Sequence, residues 1–116
     1  LSQVLERRQG VCQDFAHVMI GSLRSLGLAA RYVSGYLRSG SLYLGAEASH
    51  AWVAVFIPGL GWTHFDPTND VLPSDGHITL AWGRDYGDVT PLKGITLGGL
   101  NQTIEVTVQV QPVEAC

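Results

Sequence analysis

The chain has 116 residues, 46% of them hydrophobic, and a formal net charge of −3 from seven Lys and Arg against ten Asp and Glu. That is enough apolar surface for one domain with a real core, while so few scattered cations form no basic stripe, so nucleic acid is not expected as a partner. No apolar run approaches the ~18–20 residues that a membrane-spanning helix needs, and two cysteines, Cys12 and Cys116, give no disulfide framework.

Residues 1 to 9, with Leu1, Val4 and Leu5 among polar partners, predict a short helix. Its polar side, Glu6, Arg7, Arg8 and Gln9, faces water. Gly10 interrupts the pattern, and from there Cys12, Phe15, Ala16, Met19, Leu23 and Leu26 recur at three- and four-residue steps. Such spacing lays one apolar stripe along a helix. Gly27 follows where a left-handed cap ends many helices, so this main helix spans about residues 11 to 26.

Ala29 to Arg38 is rich in β-branched and aromatic residues and predicts a strand. The Gly- and Ser-rich residues 39 to 47 read as a loop or irregular hairpin. From His50 a nearly continuous apolar run, Ala51 to Ile57, predicts a central strand covered on both faces. The turn signal Pro58-Gly59-Leu60-Gly61 then sends the chain back through Trp62 to Asp66, and Pro67 ends that strand. Residues 67 to 76 are a loop by composition, His77 to Trp82 a further strand, and Gly83 to Gly94 irregular. Gln102 to Val110 alternates apolar and polar residues, the mark of a half-exposed antiparallel strand. The expected fold class is α+β, one main helix packed on a mostly antiparallel sheet.

Three residues stand out chemically. Cys12 lies in the first helical turn, where unpaired N–H groups and the helix dipole favour an anion. A thiolate forms more easily there, although a lone cysteine on an apolar stripe is ordinarily a small core residue. His50 opens the central strand, where its side chain can emerge from the sheet edge towards the start of a helix packed above it. Asp66 ends the neighbouring strand and can return beside His50. The register is imperfect, since His50 lies eight residues before Pro58 and Asp66 five after Gly61, so a bulge or a diagonal approach is required. Acyl transfer by a thiol needs a thiolate, an imidazole and a group that fixes the imidazole, and the chain offers one residue for each role.

Gly10-Val11-Cys12-Gln13-Asp14-Phe15-Ala16-His17, Ala30 to Tyr36, Ser49-His50-Ala51-Trp52-Val53, Gly61-Trp62 and Phe65-Asp66-Pro67-Thr68-Asn69 together resemble the transglutaminase-like domain of bacteria. His77-Ile78 and Gly83-Arg84-Asp85-Tyr86 extend the likeness, which runs from about residue 5 to 113. The resemblance implies a papain-like core with Cys12 as nucleophile, His50 as general base and then acid, and Asp66 orienting His50. It also implies a protein or peptide substrate and no cofactor. Eukaryotic transglutaminases place a Trp upstream of the cysteine, and none precedes Cys12; the N–H of Cys12, with Gln13 or a group outside the chain, is the expected oxyanion site. Bacterial members carry a sizeable region ahead of this core, so residues 1–116 are expected to be a single domain cut from a longer protein.

The other residues divide as follows. His17 lies about 140° around the helix from Cys12 and is a poor base. His64 shares a strand face with Asp66 as an exposed strand histidine or a partner of that carboxylate, and His77 after its loop is open to either role. Asp14 complements the helix dipole, or disfavours the thiolate if it lies close to Cys12. Trp52, Trp62 and Trp82 are expected in the core, or else on a groove wall, and Arg84 is expected to pair locally with Asp85. No His, Cys or carboxylate spacing matches a zinc or calcium site. The leading function is a cysteine acyltransferase or hydrolase acting on amide bonds, with hydrolysis favoured because a small open site admits water. The rivals are a non-catalytic interaction module on the same fold and a structural core with a coincidental triad.

Overall fold

A computed structural model of the chain describes residues 2–7, 9–39, 43–44, 48–90, 107–111 and 113. Helix α1 (Ser2–Arg7) leads into α2 (Cys12–Ser25), followed by strands β1 (Ala30–Leu37), β2 (His50–Ile57), β3 (Gly61–Phe65) and β4 (His77–Gly83) and a 3-10 turn at Tyr86–Asp88. The four strands form one antiparallel sheet in the order β3-β2-β1-β4. The predicted helices and first four strands therefore stand where the pattern put them, within a residue or two at each end.

Both ends of α2 are set by local chemistry. The Asp14 carboxylate accepts from the Val11 N–H at 2.9 Å, satisfying a donor just ahead of the first turn. Gly10 makes room for this, because a Cβ there would lie 2.8 Å from Asp14 Cβ. At the other end Gly27 takes φ +84°, and the bonds Gly27 N–H to Arg24 O and Leu28 N–H to Leu23 O close a Schellman turn.

The core lies between α2 and one face of the sheet. Ala16 and Ile20 meet Ala30, Tyr32, Ala51, Val53 and Val55, with Cys12, Met19 and Leu23 packed against their margin. On the opposite face Val33, Trp52 and Ala54 form a second, smaller cluster. The first six residues of β2 are buried, so the central strand is covered on both sides as its run of apolar residues predicts.

Several expectations are corrected. Trp52 is fully buried, but Trp62 and Trp82 are 41% and 57% exposed. They stack on the Arg31 guanidinium instead, 4.1 and 4.5 Å from their ring centres, on the sheet face opposite α2. Arg84 pairs with Asp88 rather than Asp85, through Nε to Oδ2 at 2.9 Å, because the Asp85 carboxylate is occupied by the Gly87 N–H. Of the strand expected over Gln102 to Val110, residues 102–106 lie outside the described residues and 107–110 form no strand; the backbone of Val110 bonds to Ser39 just past the end of β1. Within the predicted loop, 40–42 and 45–47 also lie outside the described residues, as do Arg8 and Cys116, while Cys12 is a free thiol.

Candidate active site

Antiparallel pairing of β1 with both β2 and β4 makes β2 and β4 start at the same end of the sheet. His50 is the first residue of β2, opposite Gly35, and His77 is the first residue of β4, opposite Leu37. Their ring centres are 6.4 Å apart. Gly35 permits this crowding: a Cβ there would fall 2.0 Å from Ile78 O and 2.6 Å from the Trp52 ring. The register shift between Ser34 and Gly35 on β4 lies at the same place.

Asp66 follows β3 directly, held in an isolated bridge with Val71. The β2–β3 register is regular from Val53↔Phe65 to Ile57↔Gly61, so no bulge intervenes and the diagonal approach is the one taken. His50 Nε2 and Asp66 Oδ2 meet at 2.9 Å, and both side chains are fully buried. The same oxygen accepts from Asn69 Nδ2 and from His77 Nε2, each at 2.9 Å, while Oδ1 accepts from the N–H groups of Thr68 and Asn69. Burial alone would raise this carboxyl's pKa; the bonds from His50, Asn69 and His77 outweigh it and hold Asp66 well below the usual carboxylate range.

An ionised carboxylate only accepts, so His50 donates through Nε2 and leaves Nδ1 to face the thiol. Nδ1 is buried and completes no hydrogen bond. The electrostatic consequences are nonetheless clear. Burial disfavours the imidazolium, but Asp66 and Cys12 together raise the His50 pKa to about 9. Burial likewise pushes the Cys12 thiol up, yet His50 and the backbone N–H groups of Ala51 and Gln13 bring it below its ordinary value. Asp14 does not oppose this, being turned to the Val11 N–H. Cys12 and His50 are thereby coupled, the thiol lowered and the imidazole raised, and they titrate as a pair.

A cleft of about 610 Å³ opens in front of Cys12 and His50, with Val11, Phe15, Leu44 and Ala48 supplying apolar walls. Asn69 ties one wall to the acid site, since its side chain accepts from the Leu44 N–H at 2.7 Å and donates to the Leu44 carbonyl at 3.2 Å. Asp14 and Phe15 N–H groups close onto Val11 O, while that of Gln13 is engaged by the Cys12 sulfur. The arrangement can deliver an anionic sulfur to a carbonyl carbon and a proton to the group that leaves.

The remaining histidines are placed elsewhere. His17 stacks on Tyr32 at 5.0 Å and accepts from the Tyr86 N–H. His64 accepts from Trp52 Nε1 at 2.8 Å, so the histidine that joins Asp66 is His77. Asn69 is the contributor that sequence pattern did not single out, while His77, left open between an exposed strand histidine and a partner of Asp66, takes the second role. For Asn69 a signal existed, its place three residues after an Asp in a turn-forming segment. Among the described residues no three His, Cys, Asp or Glu gather to hold a metal ion, and no helix is long and apolar enough to cross a membrane.

A family model described as the transglutaminase-like superfamily matches residues 1–67. An uncharacterized protein of Mycobacterium tuberculosis is 44% identical over 124 residues, 98% of this chain and 40% of its own length. The chain thus spans about two fifths of that relative. A protein-glutamine gamma-glutamyltransferase of Pseudomonas aeruginosa is 37% identical over 107 residues, covering 84% of this chain and 16% of that protein. The crystal structure of a protein from Cytophaga hutchinsonii, named as a putative cysteine protease, matches with a TM-score of 0.62 at 37% identity, over 75% of this chain and 28% of that one.

Proposed function

The chain belongs to the transglutaminase-like superfamily, and from that premise we propose that it cleaves amide bonds through an acyl-enzyme on Cys12, with His50 and Asp66 completing a triad. Its helix-on-antiparallel-sheet core is the papain-like one. The observation that carries the reading is the buried 2.9 Å contact of His50 Nε2 with Asp66 Oδ2, which leaves the other ring nitrogen for a thiol of lowered pKa.

In the proposed reaction the Cys12 thiolate adds to the amide carbonyl carbon, and the oxygen takes the negative charge in reach of the Cys12 N–H at the start of α2. Collapse of this adduct breaks the C–N bond, and His50 gives the leaving nitrogen its proton from Nδ1. Because the proton already resides on the imidazole near neutral pH, His50 enters the first step as acid rather than as base. In the second step neutral His50 takes a proton from water, the resulting oxygen nucleophile displaces sulfur, and acid and thiolate are restored. An amine in place of water would give transamidation. Water is the favoured acceptor because the cleft is open in front of the sulfur. The relatives' names, a protein-glutamine transferase and a cysteine protease, support peptide amides as the substrate class.

The test uses the full-length protein with a peptide-amide library, reading new carboxyl termini and released ammonia by mass and by coupled assay. Wild type is expected to turn over, and C12A to lose at least a thousandfold. Equal turnover by both proteins would end the proposal.

A further inference from the structure

His77 belongs to no role so far assigned. Its side chain is 2% exposed, and its Nε2 lies 2.9 Å from Asp66 Oδ2, the oxygen that also holds His50. The ring is fixed edge-on to Trp52, with centres 5.2 Å apart, and lies 5.3 Å from Tyr43. One carboxylate oxygen is thus shared by two imidazoles arriving from the first residues of β2 and β4, with Asn69 Nδ2 as a third donor. Oxygen that accepts several charge-stabilising bonds has less of its charge left for each.

We propose that His77 is a positioning residue of the triad: by donating to the oxygen that holds His50, it limits the pull of Asp66 on the imidazolium and keeps that group able to release its proton to a leaving amine. This rests on the reading of Cys12, His50 and Asp66 as a triad. Without His77, Asp66 would still be held by Thr68 and Asn69, so the carboxylate would stay in place and bind the His50 proton more tightly. The titratable groups facing this centre are Cys12 from α2, His50 from β2, Asp66 after β3, His64 across Trp52 and Tyr43 from the loop. All of these remain unchanged in the variants below.

The experiment measures the rate of Cys12 carboxymethylation by iodoacetate against pH, resolved by peptide mass spectrometry, in the full-length protein. An anionic reagent is drawn to the imidazolium and its rate falls as His50 loses its proton, so the wild-type profile is expected to descend near pH 9. H77F, which keeps a ring and removes the donor, is expected to move that descent upward by about half a unit or more. H77Q restores an N–H donor and is expected to descend within about 0.2 units of wild type. H77M gives the donor-free comparison where H77F does not fold, with the same upward shift expected. Descents in H77F or H77M that coincide with wild type, or an H77Q shift equal to theirs, would overturn the proposal and leave the triad standing. A wild-type Cys12 that reacts like a free thiol at every pH would instead remove the triad, and the role of His77 with it.

Discussion

One carboxylate, Asp66, takes bonds from His50, His77, Thr68 and Asn69 while fully buried. Removing it takes the acceptor from two imidazoles and from the Thr68 and Asn69 N–H groups, and D66A is expected to lose about 3–5 kcal/mol in urea unfolding. The pH dependence has a definite sign on each side. Asp66 has a lowered folded pKa, so its contribution is complete above the unfolded value of about 3.9 and vanishes as pH falls through the folded one. His50 is raised to about 9, so its contribution is complete below about 6.5 and is lost as pH climbs through 9. Cys12, lowered in the fold, has the opposite slope below its unfolded value of about 8.5 and offsets this loss, so the effect of His50 is read in C12S: its thermal melts should decline as pH rises above about 6.5, and those of C12S carrying H50Q should stay flatter. Cys12, His50 and Asp66 were legible at this scale because each sits at an element boundary whose signal is local: a helix start, a strand start and a residue before proline. His77 also starts a strand, but nothing local says which strand will lie beside it.

That information belongs to the elements. His77 reaches Asp66 only because β4 pairs with β1 rather than following β3, which gives β2 and β4 a common starting end. Alternation of side chains reports a strand's face but not its neighbour, so the contact could not be read ahead of the topology. Gly35 is the residue on which this juxtaposition depends. In G35A the new Cβ meets a backbone carbonyl 2.0 Å away, which must part β1 from β4 at the bulge. The expected cost is about 1–3 kcal/mol in unfolding, with a changed pH profile of Cys12 alkylation as His77 draws away from Asp66. A G35A protein as stable and as reactive as wild type would contradict this account of the sheet end. The helix, by contrast, follows from its own residues, since Gly10, Asp14 and Gly27 settle both of its ends.

Across the whole molecule, α2 covers one face of the sheet and sets its first turn over the end where β2 and β4 begin, so sulfur, imidazole and carboxylate meet where three elements terminate. The other face carries Trp52 inside and Trp62, Arg31 and Trp82 outside. Hydrophobicity identified all three tryptophans as core candidates, whereas only a sheet flanked by further structure would bury the outer two. Unfolding of single variants should separate them: W52A is expected to cost about 3–5 kcal/mol, and W82A under about 1 kcal/mol. The central claim is that this convergence lowers the Cys12 pKa below that of a free thiol. It is tested most directly by titrating thiolate absorbance at 240 nm as the difference between wild type and C12S, which cancels Cys116. The account predicts a midpoint well below the ~8.5 of a free thiol, rising when His50 is replaced in H50Q; a wild-type midpoint at or above ~8.5 would contradict it.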